Sequence, residues 1–150
     1  MDCPLQVLIL ELISTLLFWE GASPLRLPGY DLSAPANVVV EEGLCTIIPC
    51  NFTYDPSDAS QTATLYGFWF GKRGFPGELP LVATNSDEMV ASFAVNRFHL
   101  IGNLKEGNCS LLIFTAEKND SGSYVFRMEK GYRAKFTFKD NYPEPFLKVT

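Results

Sequence analysis

The chain has 150 residues, 47% apolar, 13% aromatic and 19% charged, which suits one domain with its own core and excludes a disordered chain. A formal net charge of −5 argues against a nucleic-acid partner, because phosphate binding needs a basic footprint. With one histidine, His99, and no cysteine pair spaced as C-x-x-C, the usual zinc signatures are absent and no cofactor is implied.

The first element reads as an address. Leu5 to Trp19 is an apolar run broken by Gln6, Glu11, Ser14 and Thr15. A membrane span needs about 20 mainly apolar residues, so the run is too short and too polar to be one. It has the length of a secretory h-region, and the small residues Gly21, Ala22 and Ser23 follow it. Residues 1–23 are therefore expected to be a signal peptide and 24–150 the domain, with its core starting near Tyr30. Against this stand Asp2, where a basic residue is usual, and Glu20 and Pro24 beside the cleavage positions. Export fits three N-x-[ST] acceptors for N-glycosylation, at Asn51, Asn108 and Asn119. If Cys3 leaves with the signal, Cys45, Cys50 and Cys109 remain, an odd number in an oxidising compartment. One thiol then finds a partner outside the chain or stays free. The product is expected to be secreted if the chain ends at 150, or to be the front piece of a longer membrane protein.

Beyond Tyr30 the pattern is all β. Val38–Val40, Cys45–Phe52, Tyr66–Phe70, Leu79–Thr84, Arg97–Ile101, Cys109–Phe114, Ser123–Met128 and Tyr132–Phe138 alternate or run apolar over strand lengths. Turn residues fall between them, at Glu42-Gly43, Asp55-Pro56, Gly74–Gly77, Gly102-Asn103, Asp120–Gly122 and Gly131. Short strands at this cadence predict a β-sandwich.

Local signatures narrow the sandwich to the immunoglobulin kind. Trp69 in YGFWF sits where strand C carries its buried tryptophan, and Asp120-Ser-Gly-Ser-Tyr124 reads as a tyrosine corner ahead of strand F. Arg97 is expected to pair with Asp120 beneath the domain, a structural role. The second cysteine of the usual inter-sheet disulfide belongs two residues after the corner tyrosine, and that position is Phe126. Cys109 takes its place on strand E, sharing parity with Leu111 and Ile113, as Cys50 shares parity with Ile48 and Phe52. Strands B and E are neighbours in one sheet, so the expected Cys50–Cys109 disulfide lies within a sheet. Cys45 has the opposite parity and is expected to have no partner within the chain.

The charge pattern singles out strands F and G. With Tyr124 and Phe126 inward, Arg127 faces outward mid-strand, where its planar donor fork suits a carboxylate. From Arg127 to Lys139 five cations (Arg127, Lys130, Arg133, Lys135, Lys139) accompany one anion, Glu129. A solvated hairpin accounts for Lys130, Arg133 and Lys139. No nucleophile–base arrangement, phosphate loop or catalytic pair of acids accompanies them, so an enzyme is not expected.

The combination of EEGLCTIIPCNFTY, YGFWF, PLVATN, NRFHLIG, NCSLLI and NDSGSYVFRMEKG resembles the amino-terminal V-set domain of the Siglecs, the sialic-acid-binding immunoglobulin-type lectins, and of their myeloid subgroup in particular. The likeness covers about Tyr30 to Thr150. It implies that Arg127 forms a salt bridge with the sialic acid carboxylate. It further implies that Phe136 packs on the glycerol chain from an outward position, that main-chain groups near Lys135 and Thr137 bond the sugar, and that Tyr30 meets the N-acetyl group. The loop from Gly71 to Pro80 would set linkage preference, and Cys45 would bridge to a second immunoglobulin domain in a full-length form. The implied partners are sialylated glycans on glycoproteins or glycolipids, met at the outer face of the plasma membrane. An exposed sheet of this kind also suits a V-set module that recognises a protein partner or a secreted decoy without sugar binding; Arg127 discriminates, since protein recognition has no need of a carboxylate clamp.

Overall fold

The computed structural model describes residues 26–71 and 79–150. The expected signal peptide, and residues 72–78 of the loop expected to set linkage preference, lie outside the described residues. Eleven strands follow in order: β1 Asp31–Ser33, β2 Asn37–Val40, β3 Thr46–Ile48, β4 Asn51–Thr53, β5 Tyr66–Gly71, β6 Leu81–Thr84, β7 Phe98–Leu100, β8 Leu111–Ile113, β9 Gly122–Lys130, β10 Ala134–Phe138 and β11 Phe146–Val149. One sheet runs β2-β11-β9-β5-β6, with β10 also paired to β9. Facing it are the three-stranded sheet β3-β8-β7 and the pair β1-β4. The all-β V-set sandwich expected from the motifs is the observed architecture.

Two strands are broken where the sequence reading had one run or none. Cys45–Phe52 divides into β3 and β4 at Pro49-Cys50. Proline has no N–H for a ladder, and the Cys50 N–H donates to Ser110 Oγ instead, at 3.2 Å. The last strand divides into β10 and β11 around Pro143 and Pro145. β10 covers Phe126–Lys130 of β9, and β11 then moves down to Gly122 and Ser123, lying parallel to β2 on its other side.

Packing between the sheets is aromatic where most immunoglobulin domains place sulfur. Phe126, with no exposed surface, lies with its ring 5.3 Å from Trp69 and 5.2 Å from Phe52 of β4. The disulfide is displaced as expected: Cys50 and Cys109 are bonded, and the Cys109 N–H donates to the Cys50 carbonyl at 2.8 Å. Trp69 Nε1 donates to the Cys109 carbonyl at 2.8 Å, so its one polar atom is satisfied in the core. Gly67 makes room for this arrangement, because a Cβ there would stand 3.0 Å from the Phe126 ring. Cys45 departs from expectation. It is disulfide-bonded, and no described cysteine is a free thiol.

The lower corner closes on a buried ion pair. Arg97 Nη1 and Nη2 reach the two Asp120 oxygens at 2.8 and 3.0 Å, and Arg97 Nε donates to the Phe93 carbonyl. Asp120 is wholly buried, and its Oδ2 also accepts from the Glu117 N–H. The Tyr124 hydroxyl donates to the Asp120 carbonyl, completing the corner. Arg97→Ala strands a buried carboxylate and should cost about 3–5 kcal/mol, read as a fall in the urea midpoint. Loss of the Cys50–Cys109 bond, which closes a separation of 59 residues, should cost about 4 kcal/mol in the chain-entropy account.

Candidate carbohydrate-binding face

The site begins with the alternation of β9. Tyr124, Phe126 and Met128 have no exposed surface, and successive strand residues point to opposite faces. Val125, Arg127 and Glu129 therefore share the outer face. β10 returns beside β9 after a turn in which Gly131 holds φ +83, a conformation that disfavours a side chain. Thr137 stands opposite Arg127 and Lys135 opposite Glu129. On the other side Phe68 of β5 stands opposite Arg127. Phe68 and Val125 are buried at 3% and 1% exposure although they lie on the outer face, so Arg127 has apolar neighbours both across and along the sheet.

The Arg127 guanidinium is already held. Nε donates to Glu129 Oε2 at 3.0 Å and Nη1 to Thr137 Oγ1 at 2.7 Å. Both charged side chains keep close to three-tenths of their surface exposed, 29% and 28%. Nη2 makes no hydrogen bond to a described residue, and five N–H donors in a fixed fork leave capacity for one more acceptor pair. Lys135 is exposed, with Nζ 5.7 Å from the centre of the Tyr132 ring.

Phe136 lies on the other side of the ribbon, contrary to the outward position expected from the sequence. It pairs with the buried Met128 and lies between Ala134 and Phe138, both without exposed surface, so the two-residue period turns it inward. It is half-buried, 4.6 Å from the Tyr30 ring, 4.9 Å from Phe138 and 5.4 Å from Tyr142. Tyr30 is 5% exposed, and its hydroxyl donates to Asp58 Oδ2 at 2.7 Å. Burial first, then the bond to Asp58, pushes the Tyr30 hydroxyl up to about 12. Tyr30 and Phe136 thus pack on each other behind the face that carries Arg127. β10 has β9 on one side and no strand on its other side among the described residues, so main chain near Lys135 is at an edge.

Glu129 is the residue that sequence reading passed over. It was one anion among five cations, yet a strand spacing of two from Arg127 puts it on the same face. Of the three acceptor asparagines, Asn51 and Asn119 are exposed, whereas Asn108 is half-buried, bridges to Asn51 and accepts the Ser110 N–H. Among the described residues no group of three metal-ligating side chains occurs, and no helix is long and apolar enough to cross a membrane. A cleft of about 780 Å³ lies elsewhere, lined among others by Tyr54, Leu65, Asn85, Leu104 and Lys130. Its Asn85 and Lys130 are engaged with main chain at Gly67, Leu65, Ser60 and Ala63.

Comparison with known families matches residues 33–143 to the immunoglobulin V-set domain. The chain belongs to the immunoglobulin V-set family. This V-set domain is Siglec-like. It is 37% identical over 134 residues to human sialic acid-binding Ig-like lectin 5, covering 89% of this chain and 24% of that protein. It is 40% identical over 124 residues to human sialic acid-binding Ig-like lectin 16, covering 82% and 25%, and 40% identical over 135 residues to chimpanzee sialic acid-binding Ig-like lectin 13, covering 89% and 33%. The chain thus spans a quarter to a third of these relatives' lengths. The V-set and Siglec families are binding proteins, not enzymes.

The inward placement of Phe136 changes what its loss should do. Phe136→Ala empties one wall of the Tyr30, Phe138 and Tyr142 cluster and should cost about 1–2 kcal/mol. A thermal melt checks this; an unchanged midpoint would mean that the ring leaves the cluster in solution.

Proposed function

We propose that the domain is a sialic-acid-binding lectin module of an immunoglobulin-superfamily cell-surface receptor, serving cell adhesion and immune-cell regulation, with Arg127 as the carboxylate clamp. The observation that carries this reading is the Arg127 fork, fixed mid-strand at two of its nitrogens with Nη2 unengaged by any described residue. A sialic acid offers one permanent carboxylate, and the chain as a whole is acidic, so attraction has to be local. The guanidinium supplies both charge and a planar geometry. Thr137 accepts from Nη1, which leaves its hydroxyl hydrogen able to donate to a bound carboxylate. Main chain near Lys135 at the β10 edge would bond the sugar. The half-buried flank of Phe136, backed by Tyr30, would give its apolar side a surface. Each contact is modest, so a single domain should bind roughly in the millimolar range, and clustering on a cell surface would supply avidity.

This reading places the domain outside the cell, with a signal peptide removed and Asn51, Asn108 and Asn119 open to glycosylation. In a longer receptor a second immunoglobulin domain would follow. Cys45, disulfide-bonded in the full chain, would be open to bridge to it once the signal peptide is removed. The second reading, a V-set module for a protein partner, has one observation in its favour: Tyr132 is 91% exposed and Tyr66, on the Arg127 face, 37%. Arg127 separates the two. Displayed multivalently on beads, the wild type should bind cells and lose them after sialidase treatment. Arg127→Ala should abolish that binding with the melt unchanged. Arg127→Lys should largely abolish it, since a point charge cannot reproduce the fork. Binding that survives sialidase would favour the protein-partner reading.

A further inference from the structure

We propose that Glu129 is an internal competitor for the carboxylate site: it positions the Arg127 guanidinium and, by its charge, limits how tightly that guanidinium holds an anionic ligand. The inference rests on Arg127 being the ligand's clamp and adds the residue that sets its strength. Parity along β9 leaves Glu129 no other face, because Met128 between them is wholly buried. Its Oε2 takes Nε at 3.0 Å while Thr137 takes Nη1 at 2.7 Å, and two contacts on different nitrogens fix the plane of the fork. What remains for a ligand is Nη2 with the unused hydrogen of Nη1. A sugar carboxylate docked there shares one guanidinium with the Glu129 carboxylate, and the two anions repel.

Position and charge separate cleanly at this residue. Glu129→Gln keeps an oxygen that accepts from Nε and keeps the side-chain length, but removes the negative charge. Positioning is preserved and repulsion is lost, so the variant should bind more tightly than the wild type. Both side chains are more than a quarter exposed, and exposed charge pairs are strongly screened, so the gain should be about two- to fivefold. Raised salt should shrink it. The variant and the wild type should converge near about 1 M salt, where the screening length falls to about 3 Å. A residue with a purely structural role would give a ratio indifferent to salt.

The test is an NMR titration of the whole protein with the methyl α-glycoside of N-acetylneuraminic acid, at low and high salt, for the wild type, Glu129→Gln and Thr137→Val. The expected result is tighter binding by Glu129→Gln at low salt and a ratio near one at high salt. Thr137→Val should bind more weakly than the wild type, and Thr137→Ser should restore binding by returning the oxygen that holds Nη1. Glu129→Gln binding no tighter than the wild type at low salt, or equally tighter at every salt concentration, overturns the proposal. A folded wild type that gives no saturable shift refutes the clamp reading and this inference with it, a result distinct from a wild type that binds and a variant that gains nothing.

Discussion

Tyr124, Phe126 and Met128 fill the middle of the inward side of β9 with no surface exposed, and a strand has only one other side. Everything proposed for the outer face depends on that constraint. The three buried residues hold the register through different partners: Tyr124 through its hydroxyl on the Asp120 carbonyl, Phe126 through Trp69 and Phe52, and Met128 through its place opposite Phe136. A slip of one residue would drive Arg127 and Glu129 into the core, at a cost the domain could not bear. The arginine is therefore positioned by its apolar neighbours, which take no part in binding.

The same segment explains the displaced disulfide. With Phe126 where strand F usually carries sulfur, the two sheets are joined by ring contacts, and covalent closure moves to Cys50 and Cys109 within one side of the sandwich. The Cys109 carbonyl accepts from Trp69, so the relocated bond and the central tryptophan still form one unit. At the bottom, Arg97 and Asp120 anchor the turn that feeds β9. Two arginines in one small domain thus do opposite work. Arg97 is committed to a buried carboxylate with both terminal nitrogens, whereas Arg127 is held at Nε and Nη1 and has no described partner at Nη2.

Much of this was legible in the sequence, for physical reasons that can be named. Trp69, the corner from Asp120 to Tyr124 and the Cys50–Cys109 pairing follow from motif spacing and parity, which are local. β1 escaped notice because it is short, three residues, and gains its regularity from a partner far along the chain. The inward turn of Phe136 was obscured because a resemblance carries a residue's role but not its packing. Ala134 and Phe138 on either side were the available signal. The expectation of an unpaired Cys45 assumed that the leading segment is removed, and in the full chain Cys45 is disulfide-bonded. Glu129 was visible as a charge; seeing it as Arg127's partner required combining strand parity with the length of both side chains.

In the proposed complex a sialic acid carboxylate is received by the Arg127 guanidinium on the outer face of β9. A crystal structure of the protein soaked with a simple sialoside tests this most directly. A carboxylate oxygen should lie within hydrogen-bond distance of Arg127 Nη2, with Thr137 still on Nη1 and the sugar ring along the β10 edge. A sialoside bound elsewhere, with Arg127 still held only by Glu129 and Thr137, would contradict it.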